Sequence, residues 1–168
     1  MSHLFIAALI VLTVIGILLI LVTMHNNQLK SSRNSMLSFF RDIASVHNLS
    51  FTGQEVLRAL VMGLDGPNKK LVIVEEKNQS YDPQVIDLDE VYACRIKKVY
   101  TAIHSNDYKR NRPEDYLKSI ALELDLKSRK APVVVFFYRN EHNSIHEIRE
   151  LETRVRNWET MLSKMVIA

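Results

Sequence analysis

The sequence predicts an α+β protein: an N-terminal transmembrane helix, then an antiparallel β-sheet or partly open barrel of about six strands, capped by a C-terminal α-helix. Three observations lead there. Leu4 to Met24 runs for 21 residues without a charge. Between Leu57 and Tyr138, short β-branched and aromatic segments are separated by turn residues. From Ser144 onward, apolar residues recur at helical spacing opposite a charged face.

The uncharged run is long enough to span a bilayer. At about 1.5 Å per residue it covers roughly 31 Å, against a hydrocarbon core of about 30 Å. Fifteen of its residues are Leu, Ile, Val or Phe, which favours insertion by on the order of 5 to 9 kcal/mol. No Lys or Arg precedes it, and it exits through Thr23, Met24, His25 and Asn26, which fits neither end of a cleaved signal peptide. Lys30, Arg33 and Arg41 follow it, and positive charge is retained in the cytoplasm. The expected arrangement is therefore single-pass in the inner (cytoplasmic) membrane, N-terminus outside. Residues 1–25 form the anchor, 26–48 a juxtamembrane linker and amphipathic helix, and 49–168 a cytoplasmic domain.

Composition narrows the function classes. All 22 Lys and Arg and all 19 Asp and Glu lie beyond residue 29, so the net charge of +3 is the remainder of nearly balanced signs and does not indicate nucleic-acid binding. The single Cys94 cannot close an intramolecular disulfide, in keeping with a reducing compartment.

After the anchor, His25 to Ser35 is polar and without apolar periodicity, as a linker is. Met36, Phe40, Ile43 and His47 then recur at i, i+4, i+7 spacing, with Asn34 or Ser35 as N-cap. This helix either packs on the domain that follows or lies on the membrane surface. Thr52 and Glu55 have capping-box spacing, so a helical turn or loop is expected before a strand, although Val56 to Leu64 reads as strand or helix. Asp65, Gly66, Pro67 and Asn68 are turn residues between Leu60–Leu64 and Leu71–Val74, the pattern of a hairpin. Gln84–Leu88 and Val91–Ile103 follow as strands, with a bend at Asp89 and Glu90. His104–Tyr116 is a long polar loop containing Pro113. Ile120, Leu122, Leu124 and Leu126 alternate with Ala121, Glu123, Asp125 and Lys127, the period of a strand with one wet face, whereas the unbroken Val133–Tyr138 suits a strand buried on both faces or central in the sheet. Ser144 and Glu147 form a capping box ahead of the stripe Ile145, Ile148, Leu151, Val155, Trp158, Leu162 and Met165. Within that stripe Ile148, Leu151, Val155 and Trp158 are the expected structural lid on the sheet.

This order of elements, from Leu57 to Met165, resembles that of pleckstrin-homology-like domains. Val85–Val91 looks like the strand and bend leading to the middle of that fold, Leu117–Leu126 and Pro132–Tyr138 like its last two strands, and the helix with Trp158 like its capping helix. With the span added, the chain is similar to small bacterial single-pass membrane proteins of this architecture. The resemblance implies binding of phosphoinositides, peptides or proteins rather than catalysis. Lipid-binding members carry several Lys and Arg in and beside the first hairpin loop; this chain has only Lys69 and Lys70 there.

Residues that carry chemistry are sparse. No phosphate-binding glycine loop can be written, which argues against nucleotide chemistry. His142 and His146, flanked by Glu141 and Glu147, straddle a helix cap and read as solvated side chains rather than metal ligands. Cys94 reads as a small buried side chain, and Asp87, Asp89 and Glu90 as the wet face of a bend. No cofactor is expected. Lys109, Arg110 and Arg112 in the long loop and Lys127, Arg129 and Lys130 in the last turn are the candidate partner- or lipid-facing cations, each attracted to an anionic leaflet by roughly 1 kcal/mol. The functional expectation is a membrane-tethered, non-catalytic, protein-binding adaptor; the alternatives are a sensor of anionic lipid head groups and, last, an enzyme.

Overall fold

The computed structural model of the protein describes residues 15–18, 33–77, 80–101, 113–128 and 131–166. Among the described residues seven strands form two antiparallel sheets, one of four strands in the order β1-β2-β3-β4 and one of three in the order β5-β6-β7. This corrects the expected single sheet or partly open barrel of about six strands. The expected span from Leu4 to Met24 lies outside the described residues except for 15–18, which are helical. Among the described residues no helix is long and apolar enough to cross a membrane. The described chain divides into two compact units, the first through Ser50 with Gln54–Met62 and Ile73–Gln84, the second Phe51–Gly53, Gly63–Val72 and everything from Val85.

In the first unit, helix α1 (33–46) precedes parts of β1 (Gly53–Val56), β2 (Leu60–Asp65), β3 (Lys70–Lys77) and β4 (Ser80–Asp87). Met36 and Phe40 are both 1% exposed, and Phe39 meets Tyr81 of β4 with ring centroids 5.3 Å apart. Of the two places open to this amphipathic helix, the sheet is the one it occupies. Leu60, Val61, Met62, Ile73 and Val74 complete the apolar interior here. Thr52 and Glu55 do not cap a helix. Residues 53–56 are extended, and the Thr52 backbone N–H and its hydroxyl both donate to the Leu64 carbonyl, within the second unit. Capping-box spacing is local and weak; pairing with β2 satisfies the same backbone groups with a ladder. β4 starts before Pro83, which an edge strand tolerates because its outer N–H positions need no partner.

In the second unit, the β2–β3 turn is built as its residues dictate. Fully buried Asp65 accepts the Asn68 backbone N–H at 3.0 Å and its side-chain amide at 2.9 Å, and Lys69 takes a left-handed φ of 49°. A 3-10 turn, Leu88–Glu90, leads into β5 (Val91–Tyr100), which pairs with β6 (Leu117–Leu126), and β6 pairs with β7 (Val133–Arg139). Of the two placements that suit the apolar run Val133–Tyr138, buried on both faces or central in the sheet, the central one belongs to β6. Its expected wet face is also covered: Ala121, Glu123 and Asp125 are 2%, 4% and 7% exposed. Charged neighbours on β5 achieve this, as described below.

Helix α2 (Ile148–Val166), entered through the 3-10 turn Ile145–Glu147, closes the second unit. The Ser144–Glu147 capping box is formed, with the Ser144 N–H donating to Glu147 Oε2 at 2.6 Å. Ile148, Leu151, Val155, Trp158 and Leu162 are buried. The helix passes Gly53 at a distance that would leave a Cβ there in ordinary contact, 3.7 Å from Met161 Sδ and 3.8 Å from the Trp158 ring. On the exposed face, Glu150–Arg154 and Glu152–Arg156 pair at 3.3 and 2.7 Å.

Candidate functional site

Strand β5 is where exposed apolar groups and an open sheet edge coincide. In the sheet order it has β6 on one side and no strand on the other among the described residues. Its large apolar residues are not all inside: Tyr92 is 61%, Val99 38% and Tyr100 47% exposed. The register explains the tyrosines. Val91 faces Leu126 and Ala93 faces Asp125, so Tyr92 is the extra residue of a bulge. At the other end Val99 faces Ser119 and Tyr100 faces Leu117, so the surplus residue there is Lys118 on β6.

Between these irregularities side chains alternate. Cys94, Ile96 and Lys98 are the half-buried set, Arg95 and Lys97 the exposed one. The Ile96 backbone N–H donates to Glu159 Oε1 of α2 at 3.3 Å, and Lys98 Nζ meets Glu152 Oε1 at 2.8 Å. Hydrogen bonds from Lys98 and then Arg156 hold the Glu152 carboxyl below the usual range. The Cys94 thiol is pushed up to about 12, first by burial and then by the Glu159 charge. It therefore stays protonated near neutral pH, a poor nucleophile, as its sequence context suggests.

Arg95 and Lys97 cover the acidic residues of β6. Arg95 Nε donates to Glu123 Oε2 at 3.2 Å and Nη2 to Asp125 Oδ1 at 3.2 Å, while Lys97 Nζ donates to Glu123 Oε1 at 2.9 Å. Asp125 Oδ2 lies 2.5 Å from Arg95 Nη1 without hydrogen-bond geometry, so that contact is one of charge alone. The lysine hydrogen bond, more than the arginine's, keeps the Glu123 carboxyl below the ordinary range against the opposing effect of burial. Across β6, Arg139 stacks 3.9 Å above the Phe136 ring.

The acidic bend has a structural task that its sequence did not show. Asp87 pairs with Lys70, Asp89 with Lys69 at 2.9 Å, the Asp89 carbonyl accepts Lys127 Nζ at 2.7 Å, and Glu90 accepts Ser128 Oγ at 2.7 Å. The bend thus ties down two hairpins. Lys69 and Lys70, at the β2–β3 turn, are engaged here rather than presented to an anion.

Of the six candidate cations, Lys109, Arg110, Arg112, Arg129 and Lys130 lie outside the described residues; Lys127 is held as just given. The lid residues Ile148, Leu151, Val155 and Trp158 are 0–5% exposed. Among the described residues no group of three His, Cys, Asp or Glu is placed to hold a metal ion. Tyr92, Tyr100 and Glu159 had no role on sequence grounds, because a bulge and a helix-to-strand contact leave no local signature.

No family model matches the sequence, and no curated protein matches it significantly. Among solved structures, the pleckstrin homology domain from Shewanella amazonensis SB2B is similar over 76% of this chain and 97% of its own, at 8% identity and a TM-score of 0.43. That score is too low to carry a functional argument, which rests instead on this chain's own geometry.

Proposed function

We propose that the chain is a non-catalytic interaction module, held at the cytoplasmic face of a membrane, that docks an extended segment of a protein partner along β5. The carrying observation is the coincidence of an unpaired strand edge with exposed Tyr92, Val99 and Tyr100. An added strand gains main-chain hydrogen bonds from such an edge and side-chain contacts from the aromatic residues at its ends. A compact head-group site finds less support, since Lys69 and Lys70 are ion-paired within the chain.

The test is proximity labelling from the full chain in its native membrane, comparing wild type with the double variant Tyr92→Ser and Tyr100→Ser. Both side chains are exposed, so folding is retained, as circular dichroism will verify. Loss of specific labelled proteins from the double variant is expected, and an unchanged labelling profile refutes docking at β5. Binding of anionic liposomes that survives physiological salt, where surface charges are screened within about 8 Å, would instead favour a lipid ligand. The cytoplasmic placement predicts that protease spares the module in intact cells and cuts it once they are opened.

A further inference from the structure

We propose that Glu159 is a displaceable cap on the β5 edge, an autoinhibitory contact that an incoming segment must break; this rests on the docking reading above. In an antiparallel strand, alternate residues turn their N–H and C=O toward the open side. Ile96 lies midway between Tyr92 and Tyr100, and its N–H is already taken by the Glu159 carboxylate at 3.3 Å. A side chain from α2 thereby occupies a ladder position that an added strand needs. The bond is long for N–H···O, and its carboxylate belongs to a half-buried residue on a helix whose packing rests on other positions, Val155, Trp158 and Leu162. The carboxylate can swing to water without moving the helix. Beside it, the Lys98–Glu152–Arg156 group fixes the remaining charge across this edge. The cap therefore does two things: it satisfies an edge donor while the module is empty, and it sets a threshold that only a segment offering a main-chain carbonyl at Ile96 passes.

Glu159→Ala removes the cap, and Glu159→Gln keeps an acceptor at the same reach while removing the charge. Amide exchange in the full chain is read at Ile96, with Leu122 of β6 as internal reference. Roughly tenfold faster exchange at Ile96 is expected in Glu159→Ala, since a hydrogen bond to a charged acceptor is lost, with Glu159→Gln close to wild type. In the native cells, a photo-crosslinking phenylalanine at position 100 reads docking. Its adduct yield should rise severalfold with Glu159→Ala and not with Glu159→Gln. Unchanged Ile96 exchange in Glu159→Ala overturns the cap whatever the partner. Faster exchange with unchanged adduct yield overturns it too, and leaves docking at β5 standing. Absence of adduct from every form overturns docking, and the cap with it.

Discussion

Replacing Trp158 with alanine tests whether α2 holds the second unit together. Trp158 is 4% exposed, and its ring faces Gly53, which has no side chain to fill the space the ring leaves. An aromatic of this size buries on the order of 200 Å², which at about 25 cal/mol per Å² corresponds to about 5 kcal/mol of transfer free energy. Alanine keeps a small part of that, while an unfilled cavity adds a penalty, and the expected loss is about 3 to 5 kcal/mol. Small domains have about 5 to 15 kcal/mol to lose, so the variant should sit near its unfolding transition at room temperature. Urea titration followed by far-ultraviolet circular dichroism measures the loss in both forms. Trp158 is the sole tryptophan, so wild-type fluorescence reports the same transition at this residue. The fragment used must retain α1. A loss below about 1 kcal/mol would refute the lid and make Trp158 a contact surface. Ile145→Ala, at a position 52% exposed, is the control and should stay within about 0.5 kcal/mol.

Two further outcomes follow from packing and charge. A fragment beginning at Leu49 lacks Met36 and Phe40, so it should be less stable than one beginning before Arg33, and Phe40→Ala alone should cost about 3 to 5 kcal/mol in the longer fragment; equal urea midpoints would mean that α1 is dispensable. Asp87, Glu123 and Glu152 all titrate below their ordinary range in the folded state. The unfolded chain therefore binds their protons first as pH falls, and their stabilisation is present at neutral pH and lost on passing below about pH 4.5. Glu123→Gln should flatten that acid limb in a pH series of thermal melts, and an acid limb of unchanged steepness would show that Lys97 and Arg95 contribute nothing through Glu123.

The sequence by itself determined the local elements whose signals are chemical and short-range. The Asp65–Asn68 turn, the Ser144–Glu147 cap and the α2 stripe follow from turn residues, capping side chains and a 3.6-residue period, each decided within a few residues. It also determined that Cys94 is quiet, since no base stands near it in sequence. What it misjudged depends on partners distant along the chain. Thr52 and Glu55 carry the right spacing for a cap, yet pairing with β2 draws Glu55 into β1 and ties Thr52, just before it, to the Leu64 carbonyl. The β6 residues Glu123 and Asp125 alternate like a wet face, yet cations from β5, 28 and 30 residues away, bury them. Apolarity suited Val133–Tyr138 to a strand buried on both faces or central in the sheet, but sheet position is set by which strands pair, and β6 takes the centre. Only the tertiary structure decided that a bulge exposes Tyr92 and that Glu159 meets Ile96 across 63 residues. Hydrogen bonds and charge act through space within a few ångströms, and a linear pattern records nothing of that distance.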